Sequence, residues 1–220
     1  INSEKQMKAL QTMIDEVNSF YSNLGIEREP LCSTLGDLFA RKCSNCHIRD
    51  WSYRNSFAAL TELVFILDRS GSMGGLESDT IGGFNGMIER QKKEGEKVNV
   101  TTILFDDEVE IIHDRFPIDA VQPLTDKEYY VRGCTALLDA VGQAINKIDN
   151  VQKHLPEEHR AGKVLFVITT DGLENSSTEF NYNDIKRMIE AKKECGWEFL
   201  FLGANIDAGK EAEKIGIERN

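Results

Sequence analysis

No stretch of this chain is basic enough to hold a polyanion, and none is apolar enough to cross a bilayer. The formal charge is −11 over 220 residues. The clusters Arg90-Gln91-Lys92-Lys93 and Lys192-Lys193 adjoin glutamates and read as solvated helix faces. Nucleic-acid binding needs a clustered positive surface, so nucleic acid is excluded as a default partner. A membrane span needs about 20 consecutive apolar residues, and its absence predicts a soluble protein. A Gly-rich, Lys-containing phosphate loop is also missing. The chain opens at Ile1 with neither an initiator methionine nor a leader, which is compatible with a removed leader. Of its 5 cysteines, Cys134 and Cys195 have no evident partner, and free thiols point to a reducing, cytoplasmic setting.

With 40% apolar residues the chain can bury one sizeable core. Leu63-Val64-Phe65-Ile66-Leu67 is a run of five large apolar residues that breaks into Asp68-Arg69-Ser70-Gly71-Ser72. Such a run reads as a strand buried on both faces, with Asp68, Ser70 and Ser72 at its C-terminal end, where open α/β sheets bind ligands. One carboxylate and two hydroxyls at alternate positions offer only hard oxygens, which suit a small divalent cation such as Mg²⁺. Arg69 reads as a surface residue and Met73 as a packing residue. Taken alone, this turn could equally be a helix cap. Two further segments weigh toward a metal. A second buried strand, Val164 to Thr170, ends in Asp171-Gly172, and Thr135 presents a hydroxyl at the start of the helical pattern Leu137, Leu138, Val141, Ala144, Ile145, Ile148.

Asp68-x-Ser70-x-Ser72, Thr135 and Asp171 together resemble the metal-ion-dependent adhesion site of a von Willebrand factor type A domain, over roughly residues 61 to 217. The resemblance implies that Ser70 and Ser72 bind the metal through their hydroxyls. Asp68 and Asp171 would bind it directly or through water, and Thr135 would join in one of two conformations. Cys134 departs from the small residue, often glycine, that usually precedes the threonine. The variant is more similar to intracellular bacterial and phage members than to adhesion receptors. The implied cofactor is Mg²⁺ or Mn²⁺, with one octahedral position left for a partner's Asp or Glu. The implied activity is therefore metal-bridged protein recognition, by a partner such as an AAA-type ATPase or another complex subunit.

Two other readings compete. In a scaffold, the metal would be structural and the N-terminal helices would carry the interaction. A Mg²⁺-dependent phosphohydrolase would also use a strand-terminal Asp. An Asp nucleophile usually needs a carboxylate two residues later, however, and Ser70 stands there. None of the four histidines lies beside the site in sequence. The chain is expected not to be an enzyme.

The expected fold is α/β: a Rossmann-like, doubly wound, mostly parallel sheet with one antiparallel edge strand, helices on both faces and an N-terminal helical appendage. Residues 1–58 form the appendage and 59–220 the main domain. In the appendage Met7, Leu10, Ile14, Val17, Tyr21 and Leu24 make one apolar stripe, for packing or for docking a partner. Trp51, Tyr53 and Phe57 read as anchors of a connector. Cys43-x-x-Cys46-His47 matches a c-type haem attachment pattern, and Cys32, Cys43, Cys46 and His47 have the ligand types of a zinc site; buried thiols are the plain alternative. In the main domain the pattern predicts a helix around Ile81–Ile88, a strand 98–105 and a hairpin strand 109–113. Helix 137–152, strand 163–170, helix 184–194, strand 197–202 and a helix from about 207 to 215 follow. No final strand is evident, where the type A fold commonly has six, so the C-terminus would be shortened.

Overall fold

The computed structural model describes residues 60–203 and 206–217. The expectations for the N-terminal stripe, for Trp51, Tyr53 and Phe57, and for Cys32, Cys43, Cys46 and His47 lie outside the described residues.

Strand β1 (Leu60–Asp68) is the apolar run anticipated from sequence, and its alternation explains why every residue from Glu62 onward is buried. Val64 and Ile66 point into one core, Leu63, Phe65 and Leu67 into the other. Helix α1 (Glu77–Glu94) follows and stops at Gly95, whose φ of 71° is the left-handed geometry of a helix C-terminus. Strands β2 (Lys97–Phe105) and β3 (Val109–Pro117) form the hairpin, helix α2 is Leu137–His154, and strand β4 is Lys163–Thr169. Helix α3 (Tyr182–Glu194), strand β5 (Glu198–Leu202) and helix α4 (Ile206–Lys214) complete the order.

Among the described residues the sheet has five strands, in the order β3-β2-β1-β4-β5. β1 pairs in parallel with β2 and β4, β4 in parallel with β5, and only β3 is antiparallel. The expected α/β class, a mostly parallel sheet with one antiparallel edge strand, is therefore the observed one, and the expected N-terminal helical appendage lies outside the described residues. The parallel order brings the C-terminal ends of β1, β2, β4 and β5 to one edge, so the loops after β1 and β4 lie side by side.

Val64, Ile66, Phe166 and Ile168 pack beneath Ile145 and Ile148 of α2 and Ile185 and Ile189 of α3. Each such side chain contributes roughly 1.5–3 kcal/mol on burial. The opposite face is covered by Phe84 and Ile88 of α1 and by Ile118, Val121, Leu124 and Tyr129 from the connection between β3 and α2. That connection has no helical or strand period, and hydrogen bonds hold it instead. Asn85 donates to the Leu124 carbonyl and accepts from its N–H, and Lys92 donates to the Val121 carbonyl. A cavity of about 390 Å³ remains between α1 and the β4–β5 side of the sheet.

Four expectations are corrected. β3 extends to Pro117, because Arg115 reaches the fully buried Glu62 with Nε at 2.9 Å and Nη2 at 2.6 Å and carries the strand past a register shift. Lys192 is not simply solvated: it bonds Asp149 at 2.6 Å and lies over Trp197. Lys92, through its bond to Val121, is likewise half-buried. Arg69 is not a surface residue but is 1% exposed, drawn in by Asp106 and Glu110. Met73 is buried as expected, and Cys134 and Cys195 are free and exposed.

Candidate metal centre

Asp68 is the last residue of β1, and its carboxylate is held from two sides. Oδ1 accepts the Ser70 N–H at 2.7 Å, and Oδ2 accepts the Thr170 hydroxyl at 2.6 Å. The first bond curls the chain at the strand's end, so that a short 3₁₀ turn, Gly71–Met73, presents Ser70 and Ser72 on one side. Their hydroxyls are 2.8 Å apart, and the Thr135 hydroxyl donates to Ser70 Oγ at 2.9 Å. Asp68, Ser70, Ser72 and Thr135 are thereby brought together from loops that are 65 residues apart in sequence.

The loop after β4 closes this cluster from the other side. A Cβ added at Gly172 would lie 2.5 Å from Ser72 Oγ, 2.9 Å from Thr135 Oγ1 and 3.4 Å from Asp68 Oδ2. Only glycine lets this backbone approach so closely. Asp171 sits between Thr170 and Gly172, both of which touch the cluster, and it is half-buried. Asp68, Ser70 and Thr135 are buried while Ser72 is exposed, so the group of oxygens opens to solvent along its Ser72 side.

Burial pushes the Asp68 carboxyl up and the charge of Asp106 adds to this, against the bonds from Thr170 and Ser70. A buried carboxylate among hydroxyls gains from a cation, which removes the cost of its unbalanced charge. The oxygens brought together, one carboxylate and three hydroxyls with no imidazole or thiolate among them, are of the kind a hard divalent ion takes. Among the described residues no three His, Cys, Asp or Glu side chains converge as a metal cluster, so a metal here would depend on the hydroxyls.

Several supporting residues escaped the sequence reading. Asp106, at the turn between β2 and β3, receives the Nε of Arg69 at 2.8 Å and of Arg132 at 2.7 Å on one oxygen and the Glu108 N–H on the other. Burial works to raise its carboxyl, but the bonds from Arg132, Glu108 and Arg69 outweigh it and hold it below the usual carboxylate range. The Arg132 N–H meets the Arg69 carbonyl, and the Gly71 N–H meets the Gly133 carbonyl, tying the Thr135 loop to the Asp68 loop. Gly133 has φ 67°, and a Cβ there would collide with the Asp107 carboxylate. Tyr129, its hydroxyl pushed up to about 12 by burial, donates to the Asp68 carbonyl from beneath. Thr135 does not cap α2, which starts two residues later. Glu174 and Ser177 receive the Leu138 and Asp139 N–H groups in its place. Acid and amide groups in Asp171-Gly172-Leu173-Glu174-Asn175 directly after a strand were the available signal for this clamp.

No protein-family model matches the chain, and no curated protein matches it by sequence. Solved structures do share the fold. Manganese-loaded TRAP protein of Plasmodium vivax is 18% identical, with a TM-score of 0.51 over 74% of this chain and 65% of that one. The D319A mutant of the PilB minor pilin from Streptococcus sanguinis is 14% identical, with a TM-score of 0.50 over 73% and 56%. Proximal thread matrix protein 1 of the mussel byssus is 14% identical, with a TM-score of 0.47 over 74% and 40%. The chain thus spans between two fifths and two thirds of these proteins' lengths. At such identities the likeness is one of fold alone.

Proposed function

We propose that this domain is a divalent-metal-dependent protein-binding module. Asp68, Ser70, Ser72, Thr135 and Asp171 hold Mg²⁺ or Mn²⁺, and a partner's Asp or Glu completes the coordination. The observation that carries this reading is the convergence of Asp68, Ser72 and Thr135 on the bare Cα of Gly172. A site that uses hydroxyls in place of further anions leaves the cation electrophilic, so an incoming carboxylate gains most from it. A metal-loaded protein of the same fold lends support. Its neighbours in fold include a pilin, which favours an interaction module over an enzyme. The chain's own acidity means that an acidic partner residue would be repelled without the metal. An AAA-type ATPase or another complex subunit in the cytoplasm remains the partner class that the motif resemblance implies.

Mn²⁺ provides the test, because its bound waters speed proton relaxation. Addition of acetate or a glutamate peptide to the Mn²⁺-loaded protein should lower the relaxation enhancement as a carboxylate displaces water. An unchanged enhancement, with Mn²⁺ still bound, would leave the metal structural and favour the scaffold reading.

A further inference from the structure

We propose that Asn175 is the positioning residue of this centre, setting the place of Thr135 and so the fit of the site to a small cation. The inference rests on reading the oxygen cluster as a metal centre, and it concerns a residue outside the ligand set. Asn175 grips the backbone of Thr135 at both its N–H and its carbonyl. The Thr135 N–H donates to Asn175 Oδ1 at 2.9 Å, and the Thr135 carbonyl accepts the N–H groups of Asn175 at 3.1 Å and Ser176 at 3.3 Å. Thr135 is 2% exposed, and its hydroxyl goes to Ser70 at 2.9 Å. The backbone of Thr135 therefore has three bonds to a single short stretch of a different loop.

That stretch is itself fixed. Glu174 takes the Leu138 N–H on Oε2 at 3.0 Å and the Ser176 and Ser177 N–H groups on Oε1 at 2.9 and 2.8 Å. Asp139, in the first turn of α2, receives the N–H groups of Thr178, Glu179 and Phe180 at 2.8 to 2.9 Å. Residues 174 to 180 and the start of α2 thus form one body carrying Thr135, and the same loop carries Asp171. Asp68, Ser70 and Ser72 belong to a second body built around Arg69 and Asp106. The spacing between the two groups of oxygens depends on the hold of Asn175 on Thr135 together with the bonds that tie the Thr135 loop to the second body, from the Ala136 N–H to the Asp106 carbonyl at 2.8 Å and from the Gly71 N–H to the Gly133 carbonyl at 3.2 Å.

Cations differ in how much they demand of that spacing. Mg²⁺ requires near-ideal octahedral geometry at about 2.0–2.1 Å, whereas Ca²⁺ accepts irregular shells at about 2.3–2.6 Å. Loosening Thr135 should therefore cost Mg²⁺ more than Ca²⁺. Loss of an outer residue that orients a ligand typically lowers metal affinity about 10- to 100-fold.

The experiment is calorimetric titration of the chelator-stripped protein with Mg²⁺ and, separately, Ca²⁺, for the parent, Asn175→Ala and Asn175→Asp. Metal-free melting is recorded alongside. Asn175→Ala should lose about tenfold or more in Mg²⁺ affinity with a smaller loss for Ca²⁺. Asn175→Asp keeps the acceptor and should restore the parent's ratio of the two affinities. Equal losses for both ions, or an unchanged ratio in Asn175→Ala, would overturn the positioning role. A parent that binds neither ion would instead refute the metal centre itself. Should Asn175→Ala not fold, Asn175→Ser carries the same comparison with a shorter acceptor.

Discussion

Arg69 Nε lies 2.8 Å from Asp106 Oδ2, and both side chains are sealed from solvent, 1% and 0% exposed. The pair sits directly behind the Asp68 turn, and Arg132 shares the same carboxylate oxygen at 2.7 Å. Asp106→Ala would leave the Arg69 charge buried with only Glu110 beside it. Removing one partner of a buried pair costs about 3–5 kcal/mol. Urea denaturation in chelator should show a loss of that size. A loss below about 1 kcal/mol, the range of surface pairs, would mean the pair contributes no more than an exposed one. Because the Asp106 carboxyl is held below its usual range, its contribution is present above about pH 4 and is lost as the pH falls through the lowered value.

His113 gives a second pH dependence, in a different window. Its ring is parallel to that of Phe84 at 6.4 Å, edge-on to Phe116 at 5.4 Å, and its Nδ1 is buried without a partner. Burial pushes its pKa down. The unfolded chain therefore takes up the proton first as the pH drops below about 6.5, and stability falls by up to about 1.4 kcal/mol per unit until the folded value is passed. His113→Phe should flatten the stability profile just below about pH 6.5. A profile with the same slope in that variant would assign the effect elsewhere.

Gly172→Ala tests how closely the post-β4 loop meets the oxygens. Its Cβ would stand 2.5 Å from Ser72 Oγ and 2.9 Å from Thr135 Oγ1, so the hydroxyls or the loop must shift. The expected outcome is a loss of Mg²⁺ affinity of about tenfold or more, by analogy with other displaced ligands. The metal-free melting temperature should change by only a few degrees, since no core side chain is altered. Parent-like affinity in a folded Gly172→Ala would show that the loop lies farther away than the geometry indicates.

The parts of the fold legible in sequence were those whose signal is local. β1 and β4 are apolar runs with polar ends, and Ile145, Ile148, Ile185 and Ile189 keep helical spacing, so their elements and burial could be read directly. The Asp68 motif was legible because its three oxygens come from one turn. Arg69 was misread because what buries it, Asp106 and Glu110, stands 37 and 41 residues away. The groups that serve the first N–H groups of α2 were hidden for a similar reason, since Glu174 and Ser177 reach them from across the sheet edge. The segment from Ile118 to Tyr129 has no period to detect, and its burial arises from Asn85 and Lys92 pairing with its backbone.

The most direct measurement is calorimetric titration of the chelator-stripped protein with Mg²⁺, for the parent and for Asp68→Ala and Ser70→Ala. The account predicts one site per chain in the parent and none in either variant, with both variants folded by circular dichroism. Binding that persists in folded Asp68→Ala, or no binding in the parent, would contradict it.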